Sequence, residues 1–383
     1  MPKNKPRVKL FSNDKEAVFL SRPNRFIMLA EDGDAVLTCH CPNPGRLIEF
    51  LFPGETLILE KQRSETAKTG WTAVGIYYRQ GIVPLCPSRA NTAAETLILP
   101  TVIPGLSDVR REYTIGSSRF DFLAVDRSGN NHLIEVKACS LVEYGAAMFP
   151  DAPSVRALRH LEELADLADK GYCCHILFVI VHGNPERFIP ALHTDPRFAL
   201  GLRRYAEKVQ LHASLIRCAP DGTAVLANPD VPVDIRHAAL AAEDRGNYLI
   251  LMEIAEAQDL AVGALGIITI LPGWYVYAGS AQKNLSHRTA RHLRKIRKRR
   301  HWHIDYLTAC TKTMSALPIL SYRNLECALA RGLADLGGRP IPGFGCSDCR
   351  CGSHLFYFPD PPMANRGFVA MLLRYRHRES LQQ

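Results

Sequence analysis

Ser118-Arg119-Phe120-Asp121-Phe122-Leu123-Ala124-Val125, then a polar stretch from Asp126 to Asn131, then His132-Leu133-Ile134-Glu135-Val136-Lys137-Ala138-Cys139: these residues decide the fold of the chain's first half. Two runs rich in β-branched and aromatic residues flank Asp126-Arg127-Ser128-Gly129-Asn130-Asn131, a turn-forming sequence, which predicts a hairpin. Glu135 and Lys137 stand two residues apart and so leave the same strand face, while Val136 points the other way into a core. Asp121 lies on the partner strand between two phenylalanines, where a carboxylate is costly unless it has a partner. Metal-assisted phosphodiester cleavage needs carboxylates that share a divalent ion and a nearby cation or base, and this hairpin supplies those groups. A cross-strand ion pair between Glu135 and Lys137, with Asp121 ending a strand, is the plainer alternative.

Downstream, Leu158, Leu161, Leu164, Leu167 and Ala168 recur at helical spacing between Ser154 and Lys170, and Gly171 ends the pattern. Cys173 to Val181 follows as a continuous apolar run, and helix followed by buried strand is an α/β signature. Upstream, short apolar runs (25–30, 35–39, 55–60, 72–78) are separated by Gly33, Asn43-Pro44-Gly45 and Pro53-Gly54, which predicts a small all-β barrel.

At these residues the chain resembles the PD-(D/E)xK nucleases and, more closely, the SfsA (sugar fermentation stimulation) family. The matching pieces are 118–122, 134–138, Phe149-Pro150-Asp151-Ala152, and Arg156 followed by His160-Leu161-Glu162-Glu163-Leu164. Arg22-Pro23-Asn24-Arg25-Phe26 and His40-Cys41-Pro42-Asn43-Pro44-Gly45-Arg46 match the family's amino-terminal barrel, and the likeness spans roughly residues 15–236. The resemblance implies Asp121 and Glu135 as ligands for Mg²⁺ or Mn²⁺, with Lys137 orienting water or stabilising the transition state. Glu112 is a further acidic ligand candidate. The barrel would be an OB-like nucleic-acid platform, with Arg25, Phe26, His40 and Arg46 as contacts.

The chain has 383 residues, 47% of them hydrophobic, enough for at least two cores. Its basic amino terminus is not followed by an apolar run suited to a signal peptide or spanning helix. Of its twelve cysteines, Cys86, Cys139, Cys218 and Cys310 sit singly in apolar segments, as reduced, buried thiols do. Together these features predict a reducing, cytoplasmic setting. The formal net charge of +9 is uneven: residues 1–244 carry a net −1 and residues 245–383 a net +10. A polyanion partner for the last third, with nucleic acid the commonest, is the simplest expectation. The Pro-, Asp- and Ala-rich stretch between the two regimes is read as a linker. The expected organisation is 1–100 barrel, 101–236 nuclease-like core, 237–244 linker, 245–360 second domain and 361–383 extension.

The second domain opens with strand-like Tyr248 to Ile254, continues through Ile267 to Leu271, and reaches Trp274 to Tyr277. Gly246-Asn247-Tyr248, Tyr275-Val276-Tyr277-Ala278-Gly279-Ser280, and Leu285, Arg288 and His292 look like a GIY-YIG core. His301-Trp302-His303-Ile304-Asp305-Tyr306-Leu307 and Gly343-Phe344-Gly345-Cys346-Ser347-Asp348-Cys349 resemble a GIY-YIG-related family. The resemblance implies that Tyr248 and Tyr277 position or deprotonate a water, Arg288 stabilises phosphoryl charge, and Glu326 holds a single divalent metal. Two departures stand out: a longer gap between the tyrosine motifs, and no late asparagine of the usual pattern. Tyrosines that merely fill a sheet remain the alternative.

A helix is predicted from Leu285 to Arg300, with Arg288, Arg291, His292, Lys295, Lys298 and Arg299 in one basic stripe. Between Arg288 and Arg300 lie eight Lys or Arg and no acid, which predicts salt-dependent phosphate contact. Cys346, Cys349, Cys351 and His354 have zinc-ligand chemistry, but so compressed a spacing equally describes reduced loop thiols, the favoured alternative. Strand-like alternation would set His301, His303 and Asp305 on one face, for local pairing or a metal.

The architecture expected is therefore an α/β multidomain chain: OB-like β-barrel, PD-(D/E)xK restriction-endonuclease-like α/β core, and GIY-YIG-like α/β domain. The expected activity is metal-dependent hydrolysis of DNA or RNA. A DNA-binding regulator of sugar-utilisation genes that does not cut is the competing expectation.

Overall fold

Five short amino-terminal strands close on themselves, four of them at the apolar runs and one, before them, not read from the sequence. In the computed structural model, which describes residues 6–64, 68–79, 81–296 and 301–379, β1 (Arg7–Lys9) precedes five barrel strands: β2 (Lys15–Asn24), β3 (Ile27–Asp32), β4 (Ala35–His40), β5 (Thr56–Lys61) and β6 (Trp71–Tyr78). They pair in the order β4-β3-β2-β5-β6, and a parallel contact of β4 with β6 (Cys39 with Trp71, His40 with Thr72) completes the ring. That order is the five-stranded Greek-key closure of an OB-type barrel. Phe19, Met28, Ala30, Cys39, Leu57, Leu59, Val74 and Ile76 are among its buried side chains.

Next come β7 (Gly81–Pro84) and a helical segment not anticipated from the sequence, in which α1 (Ala90–Ala93) and α2 (Leu99–Val102) are joined by a π turn. An α/β layer follows: β8 (Ser107–Ile115), β9 (Ser118–Val125), β10 (Asn131–Cys139), β11 (Leu141–Glu143), β12 (Ala146–Phe149), α3 (Val155–Ala168), β13 (Cys173–Ile180), β14 (Arg187–Pro190), α4 (Pro196–Tyr205), β15 (Val209–Cys218) and β16 (Thr223–Asn228). The expected hairpin is β9–β10. Strands β10, β13 and β15 are parallel neighbours, with α3 and α4 as crossover helices on the face that buries Leu133, Ile176 and Phe178. The opposite face, with Ile134, Val136, Leu177 and Val179, packs on the helical segment. The Ser154 side chain accepts from Ala157 N–H and caps α3, whose buried stripe is Ala157, His160, Leu161, Leu164, Ala165 and Leu167. Each buried leucine of that stripe contributes roughly 1.5–3 kcal/mol; removing the cap with Ser154→Ala costs about 1 kcal/mol.

Three histidines cross the parallel strands side by side. His132 Nδ1 lies 2.9 Å from His175 Nε2, and His175 Nδ1 lies 3.1 Å from His212 Nε2. Burial first, then the neighbouring His212 and His132 rings, push His175 down to about 3. An unfolded histidine titrates near ~6.5, so the unfolded chain binds the extra proton. The stabilisation is complete above that pH and is lost as pH falls from there toward about 3. Between pH 7.5 and 5.5 the first unit is expected to lose about 1.4 kcal/mol from His175 alone. Urea midpoints at the two pH values check this, and His175→Gln should show a shallower decline.

The chain divides into two compact units, 1–238 and 239–383. Where a linker was expected, Arg236–Ala242 forms a 3-10 helix. The second unit contains β17 (Gly246–Ile254), β18 (Gln258–Ala261), β19 (Ile267–Ile270), β20 (Gly273–Ala281), α5 (Leu285–Leu293), α6 (His303–Leu307), β21 (Thr311–Leu320), α7 (Glu326–Asp335), β22 (Arg339–Pro340), β23 (Leu355–Phe358) and α8 (Arg366–Arg374). Its sheet runs β21-β17-β20-β23-β22. One face buries Leu249, Leu251, Val276 and Ala278 against Leu329 and Leu333 of α7 and Phe368 and Leu372 of α8. The stretch read as a carboxy-terminal extension thus contributes a core helix. Hairpin β18–β19 is inserted between β17 and β20, which explains the long gap between the tyrosine motifs. Helix α5 stops at Leu293, not Arg300, and Arg294 is extended; a run of cations lacks the acidic partners that i,i+4 pairing requires. Among the described residues no helix is long and apolar enough to cross a membrane.

Candidate active sites in the two units

The β9–β10 ladder ends at Phe122 opposite Ile134, and there a side chain takes over from the backbone. Asp121 Oδ2 accepts from Val136 N–H at 2.8 Å, and Oδ1 accepts from Asn91 Nδ2, in α1, at 2.7 Å. Alternation along β10 sets Glu135 and Lys137 on the α3 face. Glu135 is 3% exposed; its Oε1 accepts from Lys137 Nζ at 2.5 Å and from His160 Nδ1 at 2.6 Å. His160 Nε2 accepts from Arg156 Nε at 3.4 Å, which leaves Nδ1 as the donor to Glu135. Glu135 Oε2 is buried and has no hydrogen-bond partner.

These surroundings separate the two acids. Burial pushes the Asp121 carboxyl up, with the Glu135 charge adding and Val136 N–H, Asn91 and Lys137 opposing. Burial would raise Glu135 too, but the His160 hydrogen bond and the Lys137 charge outweigh it and hold the group below the ordinary range. The two carboxyls are thus shifted in opposite directions from their ordinary values. The orphaned oxygen of Glu135 fits a hard divalent cation, for which carboxylate oxygens are the preferred ligands.

The structure gathers Asp121, Glu135 and Lys137 and adds Asn91 and His160, which sequence reasoning missed as site residues. His160 stood in plain view within a matching motif, hidden by the leucine stripe of its helix. Glu112 is not part of this group: it is exposed on β8 and pairs with Arg119 at 3.3 Å. On the barrel, Arg25, Phe26 and Arg46 are exposed and His40 is half-buried. The Arg25 guanidinium lies 4.7 Å from the Phe26 ring centre. Arg22 holds this rim together by donating to the carbonyls of Arg25 (2.8 Å), Asn43 (2.7 Å) and Gly45 (2.6 Å).

In the second unit, Tyr248, Tyr277, Arg288 and Glu326 line one cleft of about 280 Å³. In the β17–β20 register Tyr277 faces Ile250 and Tyr248 faces Gly279, so both tyrosines leave the α5 face. Gly279 permits this arrangement, because a Cβ there would stand 2.5 Å from Tyr248 Cζ. Tyr248 Oη is 3.0 Å from His292 Nε2. Arg288 donates to Ser280 O at 3.0 Å, and Glu326 accepts from Ser280 Oγ at 2.5 Å and His354 Nδ1 at 3.0 Å. Burial holds both phenols above their ordinary range, with the Glu326 charge adding and Arg288 opposing. They remain protonated at neutral pH and can hydrogen-bond a water or phosphate.

The basic stripe is largely used up internally. Arg291 grips Asp305 with contacts of 2.8 and 3.3 Å, His292 is buried against Tyr248, and Lys295 donates to the carbonyls of Thr311 (2.6 Å) and Lys312 (3.3 Å). Of these three, only His292 is buried; Arg291 is half-buried and Lys295 exposed, so the helix Leu285–Leu293 does not present them as one free basic stripe. Lys298 and Arg299 lie outside the described residues. Nor do His301, His303 and Asp305 alternate on a strand: 303–307 is helical, and Asp305 accepts from the amides of His301 (2.9 Å) and Trp302 (3.1 Å) at its start. Of the four residues with zinc-ligand chemistry, Cys349, Cys351 and His354 converge, but the fourth member of the group is Cys327, not Cys346.

Comparison with known proteins matches three family profiles: the SfsA N-terminal OB domain over residues 20–85, the sugar fermentation stimulation protein RE domain over 88–222, and the domain of unknown function DUF123 over 247–376. A sugar fermentation stimulation protein homolog of Pyrobaculum neutrophilum is 37% identical over 202 residues, 52% of this chain and 86% of that protein. One of Clostridium botulinum is 31% identical over 232 residues, 60% of this chain and 100% of that protein. The solved structure of Pyrococcus furiosus SfsA in complex with Ca²⁺ superposes with a TM-score of 0.54 at 29% identity, covering 59% of this chain and 99% of that one.

Proposed function

Because the chain belongs to the sugar fermentation stimulation (SfsA) family, we propose that its first unit is a DNA-binding nuclease that hydrolyses DNA or RNA phosphodiesters with the aid of Mg²⁺ or Mn²⁺. The observation that carries this reading is the buried, unpartnered oxygen of Glu135 beside Asp121 and Lys137. An ionised oxygen in that position is costly without a cation. That the Pyrococcus furiosus relative is described in complex with Ca²⁺ adds support. Asp121 and Glu135 would hold the ion, which when bound polarises a phosphoryl oxygen and acidifies water. Lys137 contributes positive charge where it builds on phosphorus. His160, itself held by Arg156, orients Glu135 and favours its anion, and Asn91 orients Asp121. The barrel rim of Arg25, Phe26, His40 and Arg46 offers cations and an aromatic face for a nucleic-acid strand to stack on.

The second unit is proposed to be a GIY-YIG-type module. Its cleft places two phenols, a guanidinium and a carboxylate around a space suited to a phosphate and a water. In that scheme Tyr248 and Tyr277 position the water, Arg288 takes the phosphoryl charge and Glu326 is the carboxylate for a divalent ion.

Labelled single- and double-stranded DNA and RNA, incubated with the full chain and either ion, test the proposal. Wild type should cut and chelator should stop it. Asp121→Asn should lower the rate at least about 10²-fold if the first unit performs the cleavage, and Glu326→Ala should do so if the second does. Binding without cleavage under both ions would replace the nuclease with the non-cutting regulator.

A further inference from the structure

Helix α7 and the loop between β22 and β23 bring three sulfurs and one imidazole to a point. The ligand atoms of Cys327, Cys349, Cys351 and His354 all lie within 4.8 Å of one another. His354 Nε2 stands 3.4 Å from Cys349 Sγ and 4.0 Å from Cys327 Sγ. In a tetrahedral zinc site, metal–ligand distances of ~2.0–2.3 Å set neighbouring ligand atoms about 3.5–3.8 Å apart, so the group is near its ligating geometry. None of these cysteines is in a disulfide.

The surroundings are those of a metal centre rather than of three loose thiols and a ring. His354 Nδ1 is 3.0 Å from Glu326 Oε1, so Nδ1–H donates to the carboxylate and the Nε2 lone pair faces the sulfurs. Cys351 N–H donates to Cys349 Sγ at 3.4 Å, which favours a thiolate there. The loop itself is pinned: Gly343 N–H donates to Gly352 O at 2.9 Å, and His354 N–H donates to Phe344 O at 2.8 Å. Cys327 sits in the first turn of α7, far along the chain from the other three, and local spacing cannot reveal it.

We propose that Cys327, Cys349, Cys351 and His354 bind one zinc ion through three thiolates and one imidazole nitrogen, with Glu326 as the residue that positions His354. Three sulfur ligands select a soft or borderline metal over Mg²⁺ or Mn²⁺. On binding, each thiol releases its proton to solvent as its sulfur–metal bond forms, and no electron is transferred. The site is separate from the nuclease reading of the first unit and stands or falls without it.

Elemental analysis of the full chain, purified under reducing conditions, should find about one zinc per molecule. Cys349→Ser and Cys327→Ser should lose it, and Cys346→Ser should keep it. Glu326→Gln should retain zinc but yield it to a competing chelator with about 10–100-fold weaker affinity, at an unchanged circular dichroism spectrum. Co²⁺ added to metal-free wild type should give sulfur-to-cobalt charge-transfer absorption with tetrahedral d–d bands, a readout independent of whether any variant folds. Absence of that absorption, or equal zinc loss from Cys346→Ser and Cys349→Ser, overturns the proposal.

Discussion

Glu135→Gln is expected to reduce metal-dependent cleavage by about 10³-fold, since a site worth several kcal/mol of charge stabilisation is lost with its anionic ligand, and ~4 kcal/mol corresponds to that factor. The amide has nearly the same shape and keeps an oxygen for Lys137 and His160, which now donate to Glu135 Oε1. What disappears is the charge. The Lys137 ammonium, only 11% exposed in its side chain, is left without its counter-ion, so a stability loss of about 1–3 kcal/mol accompanies the kinetic effect. Single-turnover cleavage with excess enzyme separates the two, because a folded fraction measured by circular dichroism can be divided out. A variant that cuts at the wild-type rate per folded molecule would remove Glu135 from the chemistry.

Asp305→Ala should be the most damaging single change in the second unit, at about 3–5 kcal/mol. The Asp305 side chain is fully buried and receives two contacts from Arg291 as well as the amides of His301 and Trp302. Truncation strands a guanidinium whose side chain is only 20% exposed and releases the start of α6. A loss of that size is comparable with the whole stability of a small domain, ~5–15 kcal/mol. Thermal melts of the variant should show the second unit's transition shifted or absent while the first unit's persists. Asp305→Asn, which keeps acceptors for the amides, should lose less. If Asp305→Ala melts like wild type, the Arg291–Asp305 pair does not hold the second unit together.

Much of the first unit could be read from period and turn chemistry. The β9–β10 hairpin, helix α3 and strand β13 each carry a pattern that the backbone enforces, and Glu135 and Lys137 share a face because strand side chains alternate. His160 and Asn91 could not be found in this way, since both act across elements: one from a helix otherwise made of leucines, the other from a segment with no clear periodicity. In the second unit the tyrosines and Arg288 were legible, and register brings them together despite the inserted hairpin. The length of the basic helix was misjudged because charge composition does not show where a helix ends. With α5 ending at Leu293, Arg291 pairs with buried Asp305, and Lys295, exposed beyond the helix, donates to the Thr311 carbonyl. Alternation misled at His301 to Asp305 because three residues are too few to tell a strand from a helical turn. Cys327 escaped because metal spacing rules are local and its neighbours in space are not.

The bond from Val136 N–H to Asp121 makes one carboxylate both a member of the candidate site and a stitch in the sheet. Substitutions at this position therefore answer different questions. Asp121→Asn can still turn an amide oxygen toward Val136, and its NH2 donates to Asn91 once that side-chain amide turns over, so it chiefly removes charge. Asp121→Ala also leaves the Val136 amide without an acceptor, at a further cost of about 1–3 kcal/mol. The difference between the two variants measures how far scaffold and chemistry have been fused at a single residue. Any redesign that tries to silence this centre while preserving its frame must begin with the asparagine.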